Sequence, residues 1–260
     1  MGKPKVAIYD FTGCEGCELQ IVNCEEELLD IIGNIELVYW REAVTASPDG
    51  KTPVDCDIAL VDGGITTPHD VERIRKIRSK AKILVACGSC ASLGGINALK
   101  NDIPLEEAKR IVYGDMAQHF ETIPAAPMRN YVKVDYELPG CPMVKAEFLK
   151  FFKWLLLGKG KWELPRHSVC VECKRKENLC VYDKGMFCIG PITRAGCDAN
   201  CPSFGVPCEG CRGLVPEPNV NAALDVLSER GLTLEDAINN IKMFCNAEKP
   251  VATLHTWTKR

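Results

Sequence analysis

The chain has 260 residues, a formal net charge of −3 and 26% charged residues. That length suits one or two domains with a real core, and the charge balance is neither the basic footprint of a nucleic-acid binder nor the excess of a disordered chain. No apolar run reaches the roughly 18 to 20 residues that span a bilayer, and the start MGKPKVAIYDF lacks a signal-peptide core and a twin-arginine pair, so a cytoplasmic chain is expected.

Lys5–Asp10 is a short β-branched apolar run that predicts a buried strand. It enters the loop FTGCEGC, after which Glu18–Ile32 has helical spacing. Strands are expected at Ile35–Trp40, Asp57–Asp62, Lys82–Ala86 and Tyr131–Glu137, with helices at Asp70–Lys80, after the Gly-rich loop around Cys90, and at Val144–Leu157. Strands alternating with helices imply a parallel α/β sheet covered on both faces, of flavodoxin-like type. Residues 167–218 are rich in Gly, Pro and Cys and show almost no periodicity. Such a stretch cannot build a conventional core of its own. Two short terminal helices follow, Val220–Arg230 and Thr233–Cys245, with Gly231 as a stop and Thr233 as an N-cap. The expected organisation is a flavodoxin-like domain over 1–160 and an irregular cysteine-rich domain over 161–260.

Sixteen cysteines are about 6% of the chain, well above ordinary usage. A cytosolic chain does not rely on many disulfides, so these cysteines point to metal. Seven are spread over the first 141 residues, and eight crowd into 170–211. The break falls in the stretch GKGKWELPRH, between about Gly158 and His167.

Cys14-x-x-Cys17, Cys90 and Cys141 each follow an expected strand. In an open parallel sheet those loops gather at one edge, where ligands bind. The Cys-x-x-Cys pair alone also fits a redox dithiol or half a zinc site. Further on, Cys170, Cys173, Cys180 and Cys188 form one set of four, and Cys197, Cys201, Cys208 and Cys211 another. Zinc ribbons are the main rival, because tetrahedral Cys₄ sites also use Cys-x₂-Cys knuckles. Each set here has one knuckle and two spread ligands, which suits the larger iron–sulfur cubane better.

The segments Thr12-Gly-Cys-Glu-Gly-Cys17, Gly88-Ser-Cys-Ala-Ser-Leu-Gly-Gly95 and Pro139-Gly-Cys-Pro142 resemble the three proximal-cluster motifs of the small subunit of [NiFe] hydrogenases. That fold is shared with the iron–sulfur subunit of respiratory complex I. The resemblance continues through Cys180–Cys188 with its following Ile-Gly-Pro, and through Pro207-Cys-Glu-Gly-Cys211. It implies a proximal [4Fe–4S] cluster on Cys14, Cys17, Cys90 and Cys141, a distal one on Cys170, Cys173, Cys180 and Cys188, and a medial one on Cys197, Cys201, Cys208 and Cys211. Cys170 stands where many members have His, and Cys201 supplies a fourth medial ligand that many lack. Both departures resemble the soluble members, of the sulfhydrogenase delta type, with the F420-nonreducing hydrogenase type as competitor. Complex I is disfavoured, because its subunit carries adjacent cysteines where this chain has Cys14-x-x-Cys17.

The resemblance further implies that the Ni–Fe centre belongs to a large subunit, and FAD and NAD(P) to other partner subunits. This chain would carry electrons and no catalytic residue. No Gly-x-Gly-x-x-Gly occurs, in keeping with that division. Neither nucleic acid nor membrane is an expected partner. Twelve deprotonated ligands and three cores of about two positive charges each would take the formal charge from −3 to about −9. Lys174, Arg175, Lys176, Lys184, Arg194 and Arg212 interleave with the ligands and could offset it. Cys24, Cys56, Cys87 and Cys245 are read as buried, non-ligating residues. His167 is a weak rival to Cys170. Glu15 and Glu18 flank the proximal motif, and a surface role or a helix N-terminal charge is expected of Glu18.

Overall fold

The computed structural model describes residues 2–44, 53–158 and 161–248. The chain divides into two compact units, Met1–Trp162 and Glu163–Arg260. Residues 159–160 of the expected linker lie outside the described residues.

In the first unit, β1 (Lys5–Asp10), β2 (Glu36–Trp40), β3 (Cys56–Asp62), β4 (Ala81–Cys87) and β5 (Tyr136–Leu138) form one sheet in the order β2-β1-β3-β4-β5. Every pairing is parallel. This is the flavodoxin-like order, whose direction reverses between β1 and β3. Alternation along β1 explains the two cores. Val6 and Ile8 join Ile58, Leu60 and Val85 on one face. Ala7 and Tyr9 join Ala59, Val61 and Leu84 on the other.

The first core is closed by α1 (Gly16–Val22), α2 (Glu25–Asn34) and, beyond β5, the long helix Lys145–Leu157. The expected single helix over Glu18–Ile32 is thus two. Asn23 and Cys24 close the first turn run, Cys24 is fully buried, and Glu25 takes φ +32. The second core is covered by α3 (Pro68–Lys80), which opens on a reciprocal capping box between Thr67 and Asp70.

Helix α4 (Gly88–Leu93) starts directly at the end of β4, so Cys90 lies within a helix and not in a loop ahead of one. A 3₁₀ segment, Gly95–Asp102, and α5 (Leu105–Tyr113) follow. No residue of α5 is buried, and no helix was expected there. The strand expected over Tyr131–Glu137 shrinks to Tyr136–Leu138, because Tyr131 belongs to a turn closed on Met128. The long helix, α6 (Lys145–Leu157), buries Phe148, Phe151 and Phe152.

Phe151 is fully buried, with rings of Tyr136 at 5.6 Å and Trp162 at 5.1 Å. Phe151→Ala should therefore lower stability by about 3–5 kcal/mol, read as a lower urea midpoint with unchanged slope.

Asp135 fastens β4 to α3. Its carboxylate accepts the Leu84 N–H at 2.9 Å and pairs with Arg78. Burial pushes its pKa up, but the Leu84 N–H and Arg78 outweigh that and hold it below the ordinary value. A lowered folded pKa stabilises above the unfolded value, near ~3.9, and that gain disappears as pH falls through the folded one. Asp135→Asn is expected to cost about 1.5–3 kcal/mol at neutral pH. In a pH series of unfolding curves, the gap between the two proteins should close below about pH 4.

In the second unit, α7 (Val169–Arg175) and α8 (Asn200–Ser203) are short, and α9 (Val220–Glu229) and α10 (Leu234–Cys245) are amphipathic. Thr233 caps α10 by accepting the Asp236 N–H. The two terminal helices pair through Leu224, Leu227, Ile238 and Ile241, and Ile189 and Ile192 of the cysteine-rich stretch join them. That stretch thus takes its apolar anchorage from the terminal helices and not from a core of its own. Around the cysteines themselves only Val169, Ala199 and Cys208 form a buried nucleus. Among the described residues, no helix is long and apolar enough to cross a membrane.

Candidate metal centres

In the first unit the cysteines sit where the strands deliver their loops. Cys14 and Cys17 follow β1, Cys90 follows β4 and Cys141 follows β5. Cys14 and Cys141 are exposed and Cys90 is half-buried. Burial first, then Asp62 and the neighbouring Cys141 and Cys14, push the Cys90 thiol up to about 12. Those three thiols thus share one edge. Cys17 is buried and its thiol meets Asp62 and Cys87, with burial raising it first and Asp62 next.

Glycine makes this edge possible. Gly88 has φ +80, and a Cβ there would stand 2.3 Å from Cys17 Sγ. Gly95, at φ +53, leaves room for Cys90, whose N and Sγ would lie 2.9 and 3.1 Å from an added Cβ. Both positions need a left-handed backbone and a bare Cα beside sulfur.

Two acids line the inner side. Asp62 accepts the Gly63 N–H at 2.6 Å, and burial raises its pKa. Glu18 is only 4% exposed and accepts the Trp40 Nε1–H at 2.6 Å. Burial pushes it to about 7. The expected surface role for Glu18 is therefore wrong: Trp40, on a strand distant in sequence, covers it. Asp62 was not singled out from sequence, although its place at a strand end before Gly63-Gly64 is the signal. Glu15 is half-exposed and pairs with Arg41 at 2.7 Å.

In the second unit several thiols are again neighbours. Burial, followed by Cys188, Cys173 and Cys180, raises Cys170 to about 11. Cys188 Sγ accepts the Cys208 N–H at 3.3 Å. Gly190 packs under this pair, since a Cβ there would lie 3.2 Å from Cys188 Sγ and 3.7 Å from Cys170 Sγ. Burial and then Cys197 raise Cys201, while Cys208 feels burial, Cys188 and Cys211. A cavity of about 250 Å³ opens beside Cys188 and Cys208, walled also by Phe187, Pro207 and Asn240.

Among the described residues, no three or more Cys, His, Asp or Glu side chains are arranged to hold a single metal ion. Cys14, Cys90 and Cys141 are neighbours, as are Cys170, Cys173, Cys180 and Cys188, whereas Cys17 faces Asp62 and Cys87. An all-thiolate donor set fits iron–sulfur clusters, and the bare glycines beside Cys17, Cys90 and Cys188 leave their sulfurs unobstructed. Burial raises the thiols of Cys17, Cys90, Cys170, Cys188, Cys201 and Cys208, so metal loading there must displace their protons.

The remaining cysteines are buried: Cys24, Cys56, Cys87 and Cys245. Cys245 does more than fill space, since its Sγ reaches the carbonyl of Gly210, between Cys208 and Cys211, at 3.8 Å. His167 is exposed and offers only its carbonyl, to Ala195 N–H. Of the interleaved cations, Lys174, Arg175 and Lys184 are exposed, whereas Arg212 is 1% exposed and donates from Nε to the Ala195 carbonyl at 2.9 Å.

A parallel sheet with cysteines at its ligand edge, joined to a second cysteine-rich unit, defines a redox-subunit architecture. Residues 14–155 match the family model described as NADH ubiquinone oxidoreductase, 20 Kd subunit, and the chain belongs to that family. Within it, the chain is an oxidoreductase subunit of the hydrogenase type. It is 37% identical to a subunit of the vhu F420-non-reducing hydrogenase of Methanocaldococcus jannaschii, over 80% of this chain and 81% of that one. It is 34% identical to the delta subunit of sulfhydrogenase 2 of Pyrococcus furiosus, over 86% and 92%. Among solved structures, a chain of an NAD⁺-reducing [NiFe]-hydrogenase superposes with a TM-score of 0.55 at 30% identity, covering 62% of this chain and 96% of that one.

Proposed function

We propose that this chain is the electron-transfer small subunit of a cytoplasmic [NiFe] hydrogenase, which relays electrons between the Ni–Fe site of a large subunit and a flavin- and NAD(P)-binding partner. The observation that supports the reading is the gathering of Cys14, Cys90 and Cys141 at the sheet edge and of Cys170, Cys173, Cys180 and Cys188 in the second unit. When bound, three [4Fe–4S] clusters supply single-electron acceptance and release at potentials tuned by ligands, hydrogen bonds and burial.

This chain's own residues hold and tune. Cys14, Cys17, Cys90 and Cys141 would take the proximal cluster. Cys170, Cys173, Cys180 and Cys188 would take the distal one, and Cys197, Cys201, Cys208 and Cys211 the medial one. The Cys208 N–H on Cys188 Sγ is a donor of the kind that raises a cluster's potential. Buried Asp62 beside Cys17 places negative charge on the proximal side, which acts the other way.

Support for a partner near Cys90 comes from the segment that follows it. Ile96, Ile103, Ile111, Val112 and Met116 are all exposed, Ile111 and Val112 at 70% and 69%. Exposed apolar residues concentrated in one segment favour an interaction site there.

A second reading rests on the relatives named F420-non-reducing hydrogenase, at 37% and 35% identity. There the electrons would pass to a heterodisulfide-reductase-type partner. Affinity purification of the native complex separates the two. Co-purification with a nickel-containing subunit and H₂-dependent reduction of NAD(P)⁺ supports the first, and H₂-dependent reduction of a heterodisulfide supports the second. Absence of any nickel-containing partner contradicts both.

A further inference from the structure

Between the two cysteines of the knuckle on α7, Cys170 and Cys173, stands Glu172. Its side chain reaches across to the other ligand set of the same unit. One carboxylate oxygen accepts the Gly196 N–H at 2.8 Å, and the other accepts the Ala199 N–H at 3.1 Å. These two donors bracket Cys197 and Asp198. The loop they bracket is not one that an L-residue chain adopts freely. Gly196 has φ +118, Asp198 φ +56 and Ala199 φ +48. Two consecutive non-glycine residues in the left-handed region persist only when something outside the loop holds them. Ala199 is fully buried against Val169 and Cys208, so its amide has no recourse to water. A second tie runs in parallel, since Lys176 at the end of α7 meets Asp198 at 2.7 Å.

We propose that Glu172 is a positioning residue that fixes the Cys197 loop to α7 and thereby holds the medial ligand set in place beside the distal one. The inference rests on the ligand sets of the proposed function and adds a residue that ligates nothing. The carboxylate does two things. It satisfies two amides that would otherwise turn elsewhere, and it adds a negative charge beside Cys197. Glutamine keeps one acceptor oxygen but turns an NH₂ group toward the other amide and removes the charge. Alanine removes both.

The test uses the anaerobically purified complex, with wild type, Glu172→Ala and Glu172→Gln measured side by side for iron and by EPR-monitored redox titration. Glu172→Ala is expected to lose about four of about twelve irons, with the medial signal missing and the distal one retained. Glu172→Gln is expected to keep its iron, with the medial midpoint moved to more positive potential, because a neighbouring negative charge is gone. If the alanine variant does not assemble, the glutamine variant decides alone. Wild-type iron, line shapes and midpoints in the glutamine variant, or loss of the distal signal with the medial one intact, overturns the proposal. A full set of clusters in the wild type then leaves the three-cluster reading standing, whereas a wild type without iron–sulfur signals overturns both.

Discussion

Replacing Cys188 by alanine is expected to remove at least four of about twelve irons from the assembled protein. Cys188 is tied to both groups of the second unit. Its thiol neighbours Cys180 and Cys173, and its sulfur takes the N–H of Cys208 from the other group. Losing the sulfur opens one ligand position and frees a backbone donor beside the next set. The distal EPR signal should vanish, and the medial signal should shift or broaden. The proximal signal, in the other unit, should remain. Cys56→Ala is the matching control, because Cys56 lies buried on β3 and burial with two acidic neighbours accounts for its raised pKa of about 11. It should leave iron content and all signals unchanged. Equal iron loss from both variants would mean that the effect is general unfolding.

Replacing Gly88 by valine is the other change with a large expected effect. The backbone at this position has φ +80, and the nearest atom to an added Cβ is Cys17 Sγ at 2.3 Å, with Asp62 Oδ1 and the Gly140 carbonyl next at 3.5 Å. No rotamer relieves a clash at Cβ, so Cys17 or the start of α4 must move. Such a strained backbone adds a penalty of about 1–3 kcal/mol by itself. Gly88→Val should lose the proximal cluster, about four irons, while the two clusters of the second unit persist. Gly88→Ala should show the same loss in milder form. A valine variant with full iron and an unchanged proximal signal would mean that Cys17 does not ligate from the position described.

The parallel sheet was legible because its strands are short β-branched runs between turn signals. Lys5–Asp10 matches β1 residue for residue, and β3 and β4 differ by one residue at one or both ends. What escaped was set by contacts distant in sequence. The helix expected over Glu18–Ile32 breaks at Cys24 because that side chain is drawn into the core, where Phe148 and Phe152 of α6 also lie. No residue of α5 is buried among the described residues, although Tyr113 stacks on Phe120 at 4.0 Å, and no helix was expected there. Burial of Glu18 depends on Trp40, two elements away. For the candidate site, spacing and resemblance pointed to the twelve cysteines, but not to the acids between them. Asp62 reaches Cys17 of α1 from the end of β3, and Glu172 stands out only once its two amide donors are seen.

Cys201 also bears on the electron path. With a fourth thiolate, the medial cluster is expected to be [4Fe–4S] and more reducing than a three-iron cluster, closer to a nicotinamide-level acceptor. Burial raises its thiol first, followed by Cys197, Glu209 and Cys188, so cysteines of both second-unit sets lie near it.

The most direct measurement is metal and sulfide analysis of the anaerobically purified native complex, combined with an EPR redox titration. Three [4Fe–4S] signals, about twelve irons with matching sulfide on this subunit, and nickel only in its partner are the predicted result. Zinc as the sole metal of this chain, or a three-iron signal from intact protein in place of the medial [4Fe–4S] one, would contradict it.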